Sequence, residues 1–212
     1  MTDQNPPQSA TNTVINEEDI ETNTTQTIEN WDDLEIDPSI LRGIYAYGFE
    51  KPSPIQCKAV APMLSGRDII AQAQSGTGKT GCFTVGTLAR VDFKKNDIQA
   101  ILLAHTRELS IQTKGVIDSL GSFIDNYKSE LLIGGTSTDE TIKALQENKP
   151  QIIVGCPGRI YDMLRRRKLN ASKLKIIILD EADELLSVGF KEQVYNIFQH
   201  MPQNVQVGLF SA

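Results

Sequence analysis

Residues 68–80 read DIIAQAQSGTGKT, and three kinds of segment meet within them. The apolar run Asp68–Ala71 has the length and β-branched content of a buried strand. Ala73-Gln74-Ser75-Gly76-Thr77-Gly78-Lys79-Thr80 then fits the phosphate-loop pattern, with Ala73 in place of the leading glycine. Gly76 and Gly78 let the backbone turn its N–H groups inward as an anion nest, and the helical pattern Gly78–Val91 adds the positive end of a helix dipole. In such a loop Lys79 reaches the β and γ phosphates and Thr80 ligates Mg²⁺. A strand before and a helix after distinguish the match from a chance run of small residues in a linker.

The same alternation extends along the chain. Strand-like runs fall at Asp68–Ala71, Ala100–Ala104, Leu131–Ile133, Ile152–Gly155, Lys175–Leu179 and Val205–Phe210. Helical patterns lie between them, among them Gly78–Val91, Arg107–Phe123, Thr138–Glu147, Arg159–Arg166 and Glu192–His200. Apolar runs without polar alternation suit strands covered on both faces, and their alternation with helices implies a parallel sheet. The expected fold is therefore α/β, a doubly wound, mainly parallel sheet with helices on both faces and no internal repeat. Ligands of such sheets bind beyond the carboxyl ends of the strands, so the residues just after each strand are the functional candidates.

Composition bounds the rest. With 40% hydrophobic and 23% charged residues the chain reads as a water-soluble domain. No apolar run has the length to span a bilayer, and the N-terminus MTDQNPPQSATNT lacks a basic-then-apolar signal, so no membrane role is expected. Cys57, Cys82 and Cys156 are far apart and odd in number, which suggests free thiols in a reducing compartment, the cytoplasm or the nucleus. His105 and His200 cannot build a zinc site with cysteines so scattered. The net charge of −6 is uneven: residues 1–41 hold ten of the 27 acids and none of the 21 bases, leaving the remainder positive by four. Residues 1–30, rich in Thr, Asn, Gln and acids, bury too little to offset their ordering entropy and are expected to form a disordered tail, with the domain spanning 31–212.

A phosphate loop that hydrolyses nucleotide needs a carboxylate at the end of a nearby strand. Lys175-Ile176-Ile177-Ile178-Leu179 runs into Asp180-Glu181-Ala182-Asp183. Asp180 is suited to hold Mg²⁺ through water, and Glu181 to orient or deprotonate an attacking water. Acids are also common at the solvated start of a helix, which serves as the simpler reading of Asp183 alone.

Asp180-Glu181-Ala182-Asp183 together with AQSGTGKT resembles the DEAD-box family of ATP-dependent RNA helicases. Further motifs of that family occur in order. Gly48-Phe49-Glu50-Lys51-Pro52-Ser53-Pro54-Ile55-Gln56, with Trp31 upstream where the family usually has phenylalanine, is similar to its adenine-recognising Q motif. Thr106-Arg107-Glu108-Leu109, Gly134-Gly135, Pro157-Gly158-Arg159 and Ser211-Ala212 resemble its other first-domain motifs. The resemblance covers 31–212, and the wording of Ile40–Tyr47 is similar to members that act in translation initiation.

The resemblance implies a RecA-like domain, ATP and Mg²⁺ as cofactors, and RNA bound without sequence preference through its backbone. It implies catalytic roles for Lys79, Asp180 and Glu181, and nucleotide contacts from Phe49, Lys51, Gln56, Gln74, Ser75, Gly76, Thr77, Gly78, Lys79 and Thr80. Mg²⁺ falls to Thr80 and Asp180. Gln56 has an amide that matches the donor and acceptor of an adenine edge, and Phe49 a ring for the base, although core packing also explains a phenylalanine there. On the RNA side stand Arg107, Gly135, Pro157, Gly158 and Arg159, with Gly134-Gly135 giving room for a nucleic-acid backbone. Without the family context, surface ion pairs would account for either arginine. Asp183 and Ser211 are implied in coupling between domains, and translation-initiation scaffold proteins are implied as partners of a monomer.

Three further positions depart from the family. His105 stands where it usually has proline, Ser110 where it has alanine, and Cys156 where it has threonine; a thiol is the weaker hydrogen-bonding group. Arg165-Arg166-Arg167-Lys168 reads as a solvated helix end. The sequence given ends at Ser211-Ala212, where the family continues with threonine and a second domain that carries an arginine finger. The expectation is an enzyme domain nearly inactive by itself; the alternatives are a solitary module that binds nucleotide or a helicase partner, and, more remotely, a generic phosphate-loop ATPase or kinase.

Overall fold

The computed structural model describes residues 13–16, 27–187 and 189–212. Seven strands form one parallel sheet: β1 (Thr13–Asn16), β2 (Ile69–Gln72), β3 (Ala100–Leu103), β4 (Ser129–Leu132), β5 (Ile152–Gly155), β6 (Ile176–Asp180) and β7 (Gln206–Ser211), in the order β1-β2-β7-β6-β3-β5-β4. The helices are α1 (Pro38–Ala46), α2 (Pro54–Leu64), α3 (Lys79–Arg90), α4 (Arg107–Gly121), α5 (Thr138–Asn148), α6 (Pro157–Arg165), the single turn α7 (Ala182–Leu185) and α8 (Lys191–Phe198). Among the described residues, no helix is long and apolar enough to cross a membrane.

The doubly wound arrangement follows from strands that are apolar on both faces. Along β3, Ala100 and Leu102 join one buried cluster with α1 to α4, while Ile101 and Leu103 join a second with α5 to α8. Ile176 and Ile178 against Ile177 and Leu179 divide β6 in the same way, as the two-residue side-chain period of a strand requires.

The parallel register has a direct consequence for function. Gln72 lies opposite Ser211 and Asp180 opposite Phe210, so the ends of β2, β7 and β6 stand side by side on one edge. A bond from Ala73 N to Ser211 O (3.2 Å) continues the pairing into the phosphate loop.

Several expected boundaries move. The stretch Leu131–Ile133 becomes Ser129–Leu132, because Lys128 N and Ser129 Oγ are drawn in by Gln151 (3.0 Å) and by Asp118 respectively. The helix expected from Arg159 begins at Pro157, whose missing N–H costs nothing in a first turn. The tail reading also changes in part. Thr13-Val14-Ile15-Asn16, inside the stretch expected to be disordered, pairs in parallel with β2, and the other residues of 1–26 lie outside those described. Packing against the domain begins before Trp31: Ile28 is buried and its N–H donates to Cys57 O (3.1 Å).

Candidate nucleotide and nucleic-acid site

The loop after β2 is built for close approach to an anion. Gly76 and Gly78 have φ of 81° and 100°, the left-handed region that glycine enters without strain. Gln74, Ser75 and Gly76 are exposed, and Thr77 Oγ1 donates back to Gln74 O (2.7 Å), which tightens the turn. Lys79 and Thr80 open α3. The Lys79 ammonium donates to the carbonyls of Ala73 and Gln74, so the loop's own oxygens hold the cation at its mouth.

Gln56 is 3% exposed, and both ends of its amide are engaged within the protein. Its Oε1 accepts from Ser53 N (2.7 Å) and its Nε2 donates to Gly78 O (3.1 Å). The residue therefore straps the start of α2 to the phosphate loop; one lone pair and one N–H remain for a base edge. A methyl group on Gly81 would lie 2.7 Å from both Gln56 Nε2 and Phe49 Cε2, which explains a glycine in the first turn of α3. Phe49 stacks on the fully buried Trp31 (centroids 6.2 Å apart) and meets Tyr47 edge-on (4.8 Å), so its ring belongs to an aromatic cluster at the margin of the core. Lys51 is exposed.

Asp180 ends β6 at 7% exposure. Burial, followed by the negative charge of Glu181, lifts its carboxyl from 3.8 to about 6, and the bond from Glu181 N (3.1 Å) offsets this only in part. A buried carboxylate short of compensating positive charge is suited to a divalent cation, and the Thr80 hydroxyl at the start of α3 is an oxygen that could serve as a second ligand. Glu181 follows with φ of 51°, a left-handed conformation that costs a non-glycine residue energy. Its Oε2 lies 3.1 Å from His105 Nδ1. Asp183 is exposed and Ser211 half-buried beside the loop. Among the described residues, no cluster of three or more His, Cys, Asp or Glu side chains gathers to bind a metal.

A cleft of about 630 Å³ adjoins the acid pair, lined by His105, Arg107, Gly134, Cys156, Arg159 and the α8 residue Gln193, among others. A methyl group on Gly135 would sit 2.8 Å from the flexible Arg107 guanidinium, and one on Gly134 3.3 Å from it, while Gly135 also has φ of 90°, a conformation that favours glycine. Arg159 donates to Thr136 O (2.7 Å), Thr141 Oγ1 (2.8 Å) and Ser137 O (3.3 Å), clamping the start of α5. Pro157 is buried and shapes the helix start, whereas Gly158 is exposed.

Two departures noted separately in the sequence meet in space. Ser110 Oγ and Cys156 Sγ are 3.4 Å apart, and the hydroxyl also donates to Thr106 O (2.9 Å), leaving the thiol as donor to Ser110. Gln193 and Phe190 were missed, since α8 follows the acid motif in an amphipathic stretch with no signal of its own.

A parallel sheet with a phosphate loop after one strand and an acid pair after a strand two places away defines a RecA-like phosphate-loop domain. Residues 53–212 match the DEAD/DEAH box helicase family, and the chain belongs to that family. It is 50% identical over 198 residues to the ATP-dependent RNA helicase eIF4A of Neurospora crassa, covering 93% of this chain and 49% of that protein. The eIF4A of Scheffersomyces stipitis is likewise 50% identical, over 193 residues, covering 91% of this chain and 48% of that one. Among solved structures, a DEAD box protein from the hyperthermophile Methanococcus jannaschii superposes with a TM-score of 0.82 at 39% identity, covering 88% of this chain and 50% of that one. S. cerevisiae Dbp5 bound to RNA and ADP BeF3 gives 0.78 at 38% identity, covering 87% and 46%. The chain thus spans about half the length of the relatives it matches.

Proposed function

We propose that this chain is the ATP- and RNA-binding first domain of an RNA helicase that couples ATP hydrolysis to local unwinding, in the translation-initiation branch of its family. One observation carries the reading: the register of β2, β7 and β6 aligns the phosphate loop with Asp180 and Glu181 on the edge that also bears the arginine-lined cleft. Lys79 moves from the loop carbonyls to the β and γ phosphates when nucleotide enters, exchanging neutral acceptors for charged ones. Thr80 and Asp180 would hold Mg²⁺, which would supply charge neutralisation for the bound phosphates. Glu181 orients water, and Gln56 presents its remaining donor and acceptor to adenine. Arg107 and the exposed turn at Gly158 meet RNA phosphates, and such contacts read no bases. Identity to eIF4A over nearly the whole chain supports the initiation role; initiation scaffolds as partners and a cytoplasmic site of action are part of the proposal.

Titration calorimetry tests the nucleotide assignment. Lys79→Ala is expected to weaken ATP·Mg binding at least tenfold, the loss of one charge-assisted contact of roughly 1.5–3 kcal/mol. Equal affinity in the two proteins overturns the assignment.

A further inference from the structure

We propose that His105 is a positioning residue for Glu181, holding its carboxylate and linking it to the phosphate cleft. The contact is a product of the sheet. β3 and β6 pair in parallel with Leu103 opposite Leu179, so His105 and Glu181, each two residues further on, leave the sheet side by side. His105 Nδ1 lies 3.1 Å from Glu181 Oε2, is buried, and makes no aligned hydrogen bond there or to any other described residue. A buried ring nitrogen without a partner is costly, and a small swing of the carboxylate supplies one. Glu181 is the more exposed member of the pair, its side chain 40% exposed against 20% for His105.

The same imidazole lines the cleft beside Arg107, Gly134 and Arg159. A phosphodiester entering there approaches the ring that faces Glu181, so occupancy of the cleft alters the setting of the carboxylate. Proline, the residue usual in the family at this position, has neither donor nor acceptor on its side chain and cannot act in this way. The coupling belongs to this chain's own sequence, and it rests on the proposed ATPase reading for its consequence but not for its geometry.

Two measurements test it. The chain has only two histidines, His105 and His200, so long-range proton–nitrogen NMR spectra of the rings are directly assignable. With a proton on Nδ1 facing a carboxylate, Glu181→Gln is expected to shift the His105 nitrogens and leave those of His200 in place. A mixed-sequence single-stranded RNA is expected to shift His105 as well. Unchanged His105 signals on Glu181→Gln, or with RNA whose binding fluorescence anisotropy has verified, overturn the proposal whether or not the protein hydrolyses ATP. In a fusion to a second helicase domain from a relative, His105→Ala is expected to lower RNA-stimulated kcat about tenfold with the KM for ATP unchanged. His105→Asn, whose amide nitrogen takes the place of Nδ1, is expected to restore it. Equal RNA-stimulated kcat in the alanine variant overturns the proposal, whereas a wild-type fusion with no turnover at all counts against the ATPase reading and leaves the NMR result to decide.

Discussion

Replacing Asp180 by asparagine removes a charge that the metal-free fold holds at a cost. Burial is the main cause of the rise in its pKa from 3.8 to about 6. Because the native value lies above the unfolded one, the folded protein binds this proton more tightly. The stability this group lends is complete below about pH 4 and is lost as pH rises through about 6. At neutral pH the difference amounts to about 3 kcal/mol, an upper bound, since each pKa unit corresponds to about 1.4 kcal/mol. Asparagine keeps an oxygen for the Glu181 N–H and carries no charge. The variant is therefore expected to be more stable than the parent by up to about 3 kcal/mol at pH 7 to 8, or roughly 6–12 °C in Tm. The gap should close towards pH 4. Urea unfolding in the presence of a chelator, followed by fluorescence of the single, fully buried Trp31, measures it. Asp33, Asp37, Asp92 and Asp162, all held below their ordinary value by hydrogen bonds, lose their contributions only as pH falls below that value, so they do not distort the window. A variant less stable than the parent at pH 8, or a gap independent of pH, refutes the reasoning.

Other expectations follow from the same geometry. Gln56→Ala should narrow the preference for ATP over GTP and also destabilise the fold by about 1–3 kcal/mol, since Ser53 N and Gly78 O lose their partner; unchanged stability by urea unfolding would refute the strap. Arg107→Ala should weaken binding of single-stranded RNA equally across sequences and reduce the slope of log affinity against log salt by about one, as read by fluorescence anisotropy; a change confined to one sequence would contradict backbone recognition. Ser110→Ala and Cys156→Thr should be non-additive in unfolding free energy by about 0.5 kcal/mol or more, and simple additivity would show that the 3.4 Å contact carries no energy.

Much of the architecture was legible in the sequence because buried parallel strands leave continuous apolar runs. Ile152–Gly155 needed no adjustment, the run of β3 shortened by one residue at its end, and that of β6 shifted by one residue at both ends. The strand Thr13–Asn16 escaped because four residues in a polar, acidic stretch carry too little pattern, and its partner β2 lies more than fifty residues away. The places of the phosphate loop after β2 and of the acid pair after β6 were also legible, since both motifs are local in sequence. Contacts that join distant segments were not. Gln56 bonds across 22 residues to Gly78 and Ser110 across 46 to Cys156, and no local period records either. That the Arg107 guanidinium lies beside Gly134-Gly135 is likewise a contact between distant segments.

The central claim is that this chain holds one half of an RNA-stimulated ATPase. Steady-state phosphate release with and without single-stranded RNA tests it most directly, on residues 1–212 alone and fused to a second domain of a family member. An arginine finger is worth roughly a thousandfold or more in turnover, so the account predicts almost no RNA-stimulated release by the chain alone. The fusion should show RNA-stimulated release, and Glu181→Gln should abolish it with ATP still bound. Robust RNA-stimulated turnover by residues 1–212 alone, or a fusion indifferent to Glu181→Gln, would contradict the account.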